Sequence, residues 1–441
     1  PGAKSFSLLF LLVAKDAYYI ILFSYFCTMI EYQTAVLDNG LRIIALQTAS
    51  PVVYCGYQIN AGAAHEQSNE EGIAHFCEHV TFKGTTRRTA LDVINCLEEV
   101  GGDLNAFTTK TDTVYYSAIL KEHLPRAISL LTDIVFHSVY PQREIDKEVE
   151  VICDEIESYN DSPSELIYDE FENLIFHGHP LGHNILGASE RVRKFTTKDA
   201  LHFTQQHYRP DNAVFFAYGN VDFNILLQLL SQENGTNLTT VGELDKYLEK
   251  PLPVLSAYEP QTIKIDKHTH QAHVMIGNRA YAVHDKRRMA LYLLNNILGG
   301  PGMSARLNLA LRERRGLVYT VESTMVSYSS TGLWSIYFGC DAQDVDECMA
   351  LVRAELDHFI EKPLTDSELT IAKQQIKGQI GIACDNRENL ALDFGKGFLH
   401  YGWKKDITAL YRNIDAIMAE EIQAVAQELF VEEQLTKLIY E

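Results

Sequence analysis

The feature that most constrains the fold of this chain is an internal repeat. The segment HLPRAISLLTDIVFHSVYPQREIDKEVEVICDEI, residues 123–156, resembles DVDECMALVRAELDHFIEKPLTDSELTIAKQQIKGQI, residues 344–380. The two segments end about 224 residues apart, which is far longer than any solenoid period and indicates a duplicated domain. The 441 residues are enough for two domains with sizeable cores.

Each half of the chain carries strands ahead of its long helices. In the first half, VLDNGLRIIAL predicts a hairpin with an Asn-Gly turn, and VVYCGYQI predicts a further strand. A helix through HFCEH ends near Gly84, a second runs from about 89 to 100, and LNAFTTKTDTVYYSAIL predicts two strands ahead of helices from about 121 to 158. LNLALRERRGLVYTVEST and GLWSIYFGCD repeat helix, strand and strand, followed by helices from about 344 to 382. The sequence predicts an α+β fold of two tandem homologous domains, each an antiparallel-rich sheet packed with helices.

The domain boundaries are indicated by a change in composition. A polar, proline-containing stretch from about 235 to 260 separates the halves, so we expect domains at 29–240 and 262–441 with a linker at 241–261. Residues 1–28 do not share the patterning of the rest of the chain, and Lys15 and Asp16 interrupt their apolar run. No A-x-A-like cleavage site comes after that run. We interpret 1–28 as a leader or a start-site artefact and begin the functional chain near Met29.

Charge and cysteine content narrow the range of partners and compartments. A formal charge of −21 argues against a nucleic-acid partner, which requires clustered Lys and Arg, and favours encounter with basic peptides or cations. Stable membrane insertion is not expected. The eight cysteines are scattered without a C-x-x-C pair, which is typical of free thiols and not of a disulfide framework. We expect a cytoplasmic protein, or a periplasmic or secreted one if residues 1–28 are a genuine leader.

The pentapeptide HFCEH, residues 75–79, suggests a metal site. On a helix, His75 and His79 stand one turn apart on one face, and Glu78 borders that face near enough to take a proton from a metal-bound water. A catalytic zinc site needs a third protein ligand, which we expect to be a carboxylate from another element. Glu148 and Glu155 are seven residues apart on one predicted helix face. One of them could ligate the metal while the other orients a ligating histidine.

The alternative interpretation is an ordinary amphipathic helix. An H-x-x-E-H match arises by chance in about one chain in twenty of this composition, and glutamate-rich helix faces are usually solvated. The repeat favours a metal site, because Glu148 and Glu155 align with Ala372 and Gln379, and the second half has no H-x-x-E-H. One copy therefore holds every candidate ligand and the other holds none, as expected if one does chemistry and the other binds.

Four blocks of sequence resemble those of a known family: GIAHFCEHVTFKGT, GGDLNAFTTKTDTVYY, HPLGHNILG and LNNILGGPGMSARLNLALRERRGLVY. They look like the M16 metallopeptidases, the inverzincin group that includes pitrilysin, insulin-degrading enzyme and the mitochondrial processing peptidases. The resemblance covers about residues 33 to 440. The chain has the length of two domains and not four, so it resembles the short bacterial or processing-peptidase-like members of the family.

The resemblance implies roles for individual residues. It implies one zinc ion per chain held by His75, His79 and Glu155, with Glu148 as a supporting glutamate and Glu78 as the general base. From the second half it implies an Arg/Tyr pair, Arg312 and Tyr319, that assists oxyanion stabilisation. LNAFTTK is interpreted as an exposed edge strand to which a peptide can add. The family's substrate-strand positions match Asn105, Ala106 and Phe107, although Phe107 alone would be interpreted as a core residue.

The function implied by these residues is that of a zinc metalloendopeptidase. We expect hydrolysis of extended peptides, or processing of short polypeptide segments, in a chamber between two domains or among four in a homodimer or related heterodimer. The alternative is a non-catalytic structural or scaffold subunit of the same fold. A rival metal site in HGHPLGHN, with His177, His179 and His183, lies in a Gly/Pro turn without a carboxylate base and is interpreted as a structural loop.

Overall fold

The structure, a computed structural model, describes residues 31–239 and 252–441. The predicted leader at 1–28 and residues 241–251 of the predicted linker lie outside the described residues, so the proposed domain boundaries stay predictions. The described strands form two separate sheets, one from residues 32–239 and one from residues 262–440. The predicted fold class, two α+β domains, is confirmed.

The first sheet has seven strands in the order β4-β5-β3-β6-β2-β1-β7. Its pairings are antiparallel except for the parallel pair β2–β6. The predicted hairpin turn forms between β1 and β2, where Gly40 has a φ of 88° that favours glycine. The strands are β1 (Tyr32–Leu37), β2 (Arg42–Gln47), β3 (Val52–Ile59), β4 (Asp103–Thr108), β5 (Thr113–Leu120), β6 (Ala213–Gly219) and β7 (Leu238–Thr239).

Helices cover one face of this sheet and bury an extensive apolar core that includes Ile73, Phe76 and Cys77 of the HFCEH helix. The helices of the first half are α1 (Ile73–Thr81), α2 (Ala90–Glu98), α3 (Leu124–His137), α4 (Gln142–Asn160), α5 (Pro163–Ile175), α6 (Ser189–Val192), α7 (Thr197–His207) and α8 (Phe223–Glu233). The predicted helix through HFCEH therefore exists, and it ends three residues before Gly84.

The second sheet has five strands in the order β10-β11-β9-β12-β8. Only β8 and β12 pair in parallel. The strands are β8 (Thr262–Ile265), β9 (Gln271–Ala280), β10 (Val318–Ser327), β11 (Gly332–Asp341) and β12 (Thr436–Tyr440). The helices are α9 (Arg288–Gly299), α10 (Val345–Glu361), α11 (Asp366–Ala383), α12 (Arg387–Tyr401), α13 (Ile407–Ala416) and α14 (Ala419–Leu429).

The segment LNLALRER differs from the ordinary helix that its pattern predicts. Asn308–Glu313 form a π-helix, whose wider turn carries Arg312 toward the start of β10. Short π-helical turns are rare and occur frequently at functional sites. Across residues 31–239 and 252–441, no helix combines the length and apolar character needed to cross a bilayer.

The halves exchange one helix each. Helix α12 of the second half lies on the first sheet, where Phe394 and Phe398 join a core with Phe216. Helix α5 of the first half lies on the second sheet, where Phe171 packs with Met275. Each sheet is therefore covered on its second face by a helix from the other half, and the two cores are tied together by apolar burial.

Candidate functional site

The start of α1 is fixed by the conformation of Gly72, which precedes the helix, and by hydrogen bonds to Glu66. Gly72 precedes the helix at φ 93°, and a Cβ there would lie 2.8 Å from the Leu186 carbonyl oxygen. The Glu66 carboxylate accepts hydrogen bonds from the backbone N–H groups of Gly72 at 3.0 Å and Ala74 at 2.9 Å. Burial raises the pKa of Glu66 to about 8, while those two donors favour its charged form. These contacts set the depth and rotation of the helix that carries HFCEH.

His75, His79 and Glu155 come together at one point between α1 and α4. One potential ligand atom from each lies within 4.8 Å of the other two. His75 Nε2 is 3.7 Å from Glu155 Oε1, and His79 Nε2 is 3.2 Å from Glu155 Oε2. Both histidines thus turn the same ring nitrogen toward one carboxylate, as a shared cation would require.

Glu148 occupies the other side of His79. Its Oε1 accepts from His79 Nδ1 at 3.1 Å, and its Oε2 accepts from Lys83 Nζ at 2.6 Å. Burial alone would raise the pKa of Glu148, but the hydrogen bonds from His79 and Lys83 lower it. A carboxylate that holds Nδ1–H fixes the ring and leaves Nε2 facing Glu155. The structure therefore separates the two glutamates that sequence spacing could not distinguish.

The electrostatics of the two histidines differ. Burial, and next the neighbouring His79, lower the pKa of His75 to about 4, so its ring is neutral. Burial also opposes a charge on His79, yet hydrogen bonds to Glu148 and Glu155 raise its pKa to about 9. The hydrogen bond from His79 in turn lowers the pKa of Glu155. The cluster therefore brings two imidazoles and the carboxylate of Glu155 together, and nitrogen and oxygen donors of this kind suit a divalent cation.

Glu78 lies on the same helix and faces the first sheet. Its Oε2 accepts a 2.6 Å hydrogen bond from Thr108 Oγ1, at the end of β4. Burial raises the pKa of Glu78 from its usual range, with the Thr108 hydroxyl acting in the opposite direction. A carboxyl group with a raised pKa beside a metal cluster has the properties expected of a general base. Cys77 of the same helix is buried in the core.

The segment with Asn105, Ala106 and Phe107 forms β4, which is the edge strand of the first sheet and pairs only with β5. Asn105 is exposed, whereas Ala106 and Phe107 are half-buried. Helix α1 packs against β4, so the open edge and the HFCEH helix are neighbours. The expected edge strand beside the metal helix is present, and its role in substrate binding stays a prediction.

Arg312 and Tyr319 come together in the second half. The Arg312 guanidinium carbon lies 5.6 Å from the centre of the Tyr319 ring, and the tyrosine is 80% exposed. Both line an open cavity of about 1190 Å³ between α9, β10 and the end of α11. Among the described residues, no hydrogen bond or ion pair joins either one to the His75–His79–Glu155 cluster. Their catalytic role stays a prediction.

Two of the three histidines of HGHPLGHN have structural partners, and His177 is exposed. His179 Nε2 contacts the Pro253 carbonyl oxygen at 2.8 Å, and its Nδ1 accepts from Leu181 N–H. His183 Nδ1 lies 3.2 Å from the Ala63 carbonyl oxygen. Within residues 31–239 and 252–441, the only trio of ligand-type side chains close enough to share an ion is His75, His79 and Glu155. The loop interpretation agrees with this geometry.

Sequence reasoning missed two residues that contact the site. Lys83 is four residues after His79, so helical spacing places it beside the same glutamate. Thr108 comes directly after the predicted substrate-strand residues, and strand alternation with Ala106 places both side chains on one face.

Of the described cysteines, Cys96 and Cys384 are half-buried free thiols, and Cys55, Cys77, Cys153, Cys340 and Cys348 are buried free thiols.

The chain has a duplicated α+β fold, and one copy carries a His–His–Glu cluster. These features place it in a class of two-domain proteins with a single candidate metal centre. Comparison with known sequences identifies the family. The profile described as Insulinase (Peptidase family M16) matches residues 42–189, and that described as Peptidase M16 inactive domain matches residues 194–376. The chain belongs to peptidase family M16.

Relatives match along most of the chain. The uncharacterized zinc protease YmxG of Bacillus subtilis is 31% identical over 404 residues, covering 91% of this chain and 96% of that protein. Mitochondrial-processing peptidase subunit beta of Bos taurus is 30% identical over 419 residues, covering 93% and 82%. A protease from Helicobacter pylori has the same fold with a TM-score of 0.83 at 21% identity, covering 94% of this chain and 100% of that one.

Proposed function

We propose that this chain is a zinc-dependent endopeptidase that hydrolyses extended peptides. The observation that carries the proposal is the convergence of His75, His79 and Glu155, with Glu78 on the same helix. Every role of a metal-assisted hydrolase has a candidate side chain in this first half. The naming of relatives as zinc proteases supports the same class of activity.

The spacing of the donor atoms suits zinc. Ligand atoms about 2.1 Å from a tetrahedral zinc lie about 3.4 Å from one another. His75 Nε2 is 3.7 Å from Glu155 Oε1 and His79 Nε2 is 3.2 Å from Glu155 Oε2, and one donor atom from each residue lies within 4.8 Å of the others, a spacing that a small shift of side chains would bring to this value. Two imidazoles and one carboxylate leave a fourth position for water, as in catalytic zinc sites. We assign these three residues as the ligands.

Glu78 is the proposed general base. When bound, zinc supplies Lewis-acid chemistry, because it lowers the pKa of a water and stabilises negative charge on a substrate carbonyl oxygen. Glu78 takes a proton from the attacking water and returns it to the leaving amine. The Thr108 hydroxyl holds the Glu78 carboxylate in one orientation. Glu148 holds His79 by Nδ1, so that Nε2 stays directed at the site.

The substrate backbone is proposed to bind along β4. An extended peptide that adds to this edge gains main-chain hydrogen bonds and runs beside α1. Arg312 and Tyr319 would then contact the peptide or the developing oxyanion from the second half, within one chain or from a second subunit of a dimer. The naming of one relative as a processing-peptidase subunit supports an assembly of this kind.

The test combines metal content with peptide cleavage. Glu78→Gln should retain stoichiometric zinc and lose nearly all turnover of a quenched fluorescent peptide, because the ligands remain and the base does not. Glu157→Gln is the matched control, an exposed carboxylate on α4, and should cleave at the parental rate. Chelation of the parental protein should abolish cleavage and zinc should restore it. A Glu78→Gln variant as active as the parent would refute the assignment, and an inactive zinc-loaded parent would favour the scaffold alternative.

A further inference from the structure

A buried acidic residue joins the two halves next to β4, the proposed peptide-binding strand. Asp112 lies in the turn between β4 and β5 and is only 1% exposed. Its Oδ1 is 3.2 Å from Lys396 Nζ and 3.3 Å from His400 Nε2, both on α12 of the second half. The hydroxyls of Thr109 and Thr111 donate to the same oxygen, each at 2.9 Å. We name Asp112 and these four partners the Asp112 cluster.

The charge of Asp112 depends on the second half. Burial alone would raise the pKa of this carboxyl, but the charge of Lys396 and the hydrogen bond from His400 lower it below its usual range. A buried carboxylate that loses its cationic partner is strongly unfavourable, because the hydroxyls of Thr109 and Thr111 replace only part of its lost hydration. The contacts from α12 therefore stabilise the turn conformation in which Asp112 is buried.

The turn leads directly to the proposed base. Thr108, whose hydroxyl holds Glu78, is the last residue of β4, and Thr109 is the first of the turn. Thr109 N–H donates to the Asp112 carbonyl oxygen at 2.8 Å, so Asp112 closes the hairpin that sets the register of β4. A shift of the turn would move Thr108 and the open edge of β4 together.

A second contact ties the same turn to both halves. Lys110 is 4% exposed and donates to the His183 carbonyl oxygen at 2.5 Å. Its Nζ lies 3.8 Å from Glu172 on α5, the helix that covers the second sheet. Glu172 in turn accepts from Tyr328 OH of the second half at 2.5 Å. Both exchanged helices therefore make polar contacts with this turn: α5 contacts Lys110 and α12 contacts Asp112.

We propose that Lys396 and His400 are positioning residues for the peptidase reaction, because through Asp112 they fix the β4–β5 turn, the peptide-binding edge of β4 and the Thr108–Glu78 hydrogen bond. The proposal rests on the proposed peptidase function for its catalytic consequence, but its structural step is independent of activity. The second half thus contributes to the site through the docked helix as well as through its cavity.

The experiment is hydrogen–deuterium exchange of the full-length zinc-loaded protein, measured in the segment 103–113. Lys396→Met removes the charge at nearly unchanged length, and the side chain is half-exposed, so folding should survive. Exchange in 103–113 should accelerate about tenfold or more, zinc should stay stoichiometric, and kcat/KM should fall about 10- to 150-fold, the scale of losing a hydrogen bond to a charged group. Lys396→Arg keeps the positive charge, so this variant should retain most of the parental protection from exchange and most of the parental activity. His400→Gln should accelerate exchange in the same segment.

Arg387→Met is the matched control. Arg387 begins α12 and donates to Ser50 Oγ at 3.0 Å, a contact between the halves that lies outside the Asp112 cluster. Its loss should leave exchange in 103–113 and kcat/KM within about twofold of the parent. Unchanged exchange in Lys396→Met, or equal acceleration in Lys396→Met and Arg387→Met, would overturn the proposal. If the parent cleaves no peptide, exchange alone still decides the structural step, and the failure belongs to the proposed function.

Discussion

Replacing Glu148 and Glu155 separately distinguishes a metal ligand from the residue that orients one. Glu155 faces both histidine Nε2 atoms, whereas Glu148 contacts His79 only through Nδ1. In Glu148→Gln, one side-chain oxygen remains to accept from either His79 or Lys83, and the amide group repels the other donor. His79 therefore stays in place but loses a charged partner that fixes its tautomer.

The expected magnitudes can be estimated from these contacts. Loss of a hydrogen-bonding partner behind a ligating histidine typically weakens metal binding about 10- to 100-fold, or about 1.4 to 2.7 kcal/mol. Glu155→Gln should cost more than about 100-fold, because only the two imidazole ligands remain where three protein ligands are needed. The order of zinc affinity should be parent, Glu148→Gln, Glu155→Gln.

The assay is competition of the metal-free protein with a chromophoric chelator of known zinc affinity, with circular dichroism to verify the fold. Glu144→Gln is the matched control: Glu144 lies one turn before Glu148 on α4 and pairs with Lys147 at 2.8 Å. Its zinc affinity should equal that of the parent. Weaker binding by Glu148→Gln than by Glu155→Gln would reverse the two roles, and parental affinity in both variants would refute the metal site.

Four other substitutions test the second half and the start of α1. Tyr319→Phe and Arg312→Ala should each reduce kcat/KM about 10- to 1,000-fold at parental zinc content and Tm, and unchanged kinetics in both would leave the cavity without a catalytic role. Glu66→Gln should lower the free energy of unfolding in urea by about 1–3 kcal/mol, because its amide group would face a backbone donor at Gly72 or Ala74, and an unchanged midpoint would contradict this. Gly72→Ala should lower both Tm and zinc affinity, since φ is 93° and the Cβ would approach Leu186; parental values for both would show that the helix start tolerates the strain.

The parts of the site that could be predicted from sequence are those with a short-range period. His75 and His79 are one helical turn apart, and the strand alternation around Asn105 indicates an edge beside that helix. The assignment of Glu155 as a ligand needed more than spacing, because Glu148 lies on the same predicted helix face. Only the family resemblance favoured Glu155 as the ligand. The geometry separates them, since ring nitrogens on opposite sides of His79 face different carboxylates.

The parts that could not be predicted depend on contacts between distant segments. Nothing in the local pattern of α5 or α12 indicates that each would cover the sheet of the other half, because an amphipathic face does not specify its partner. The same limit applies to Asp112, whose partners on α12 are 284 and 288 positions away in the sequence. The π-helix at Asn308–Glu313 was also missed, since its period appears as ordinary helix over so few residues.

The duplication shows that the second copy forms this fold without a His–His–Glu cluster. Helix α11 is the counterpart of α4, and Ala372 and Gln379 stand where α4 has Glu148 and Glu155. Ala372 is buried with Ile376 and Ile380 in the second core, so apolar packing occupies the position that Glu148 has on α4. Carboxylates that the second copy lacks and that converge on two histidines in the first are most simply explained by a metal-dependent role, and we propose that the exchanged helix α12 couples that role to the second half.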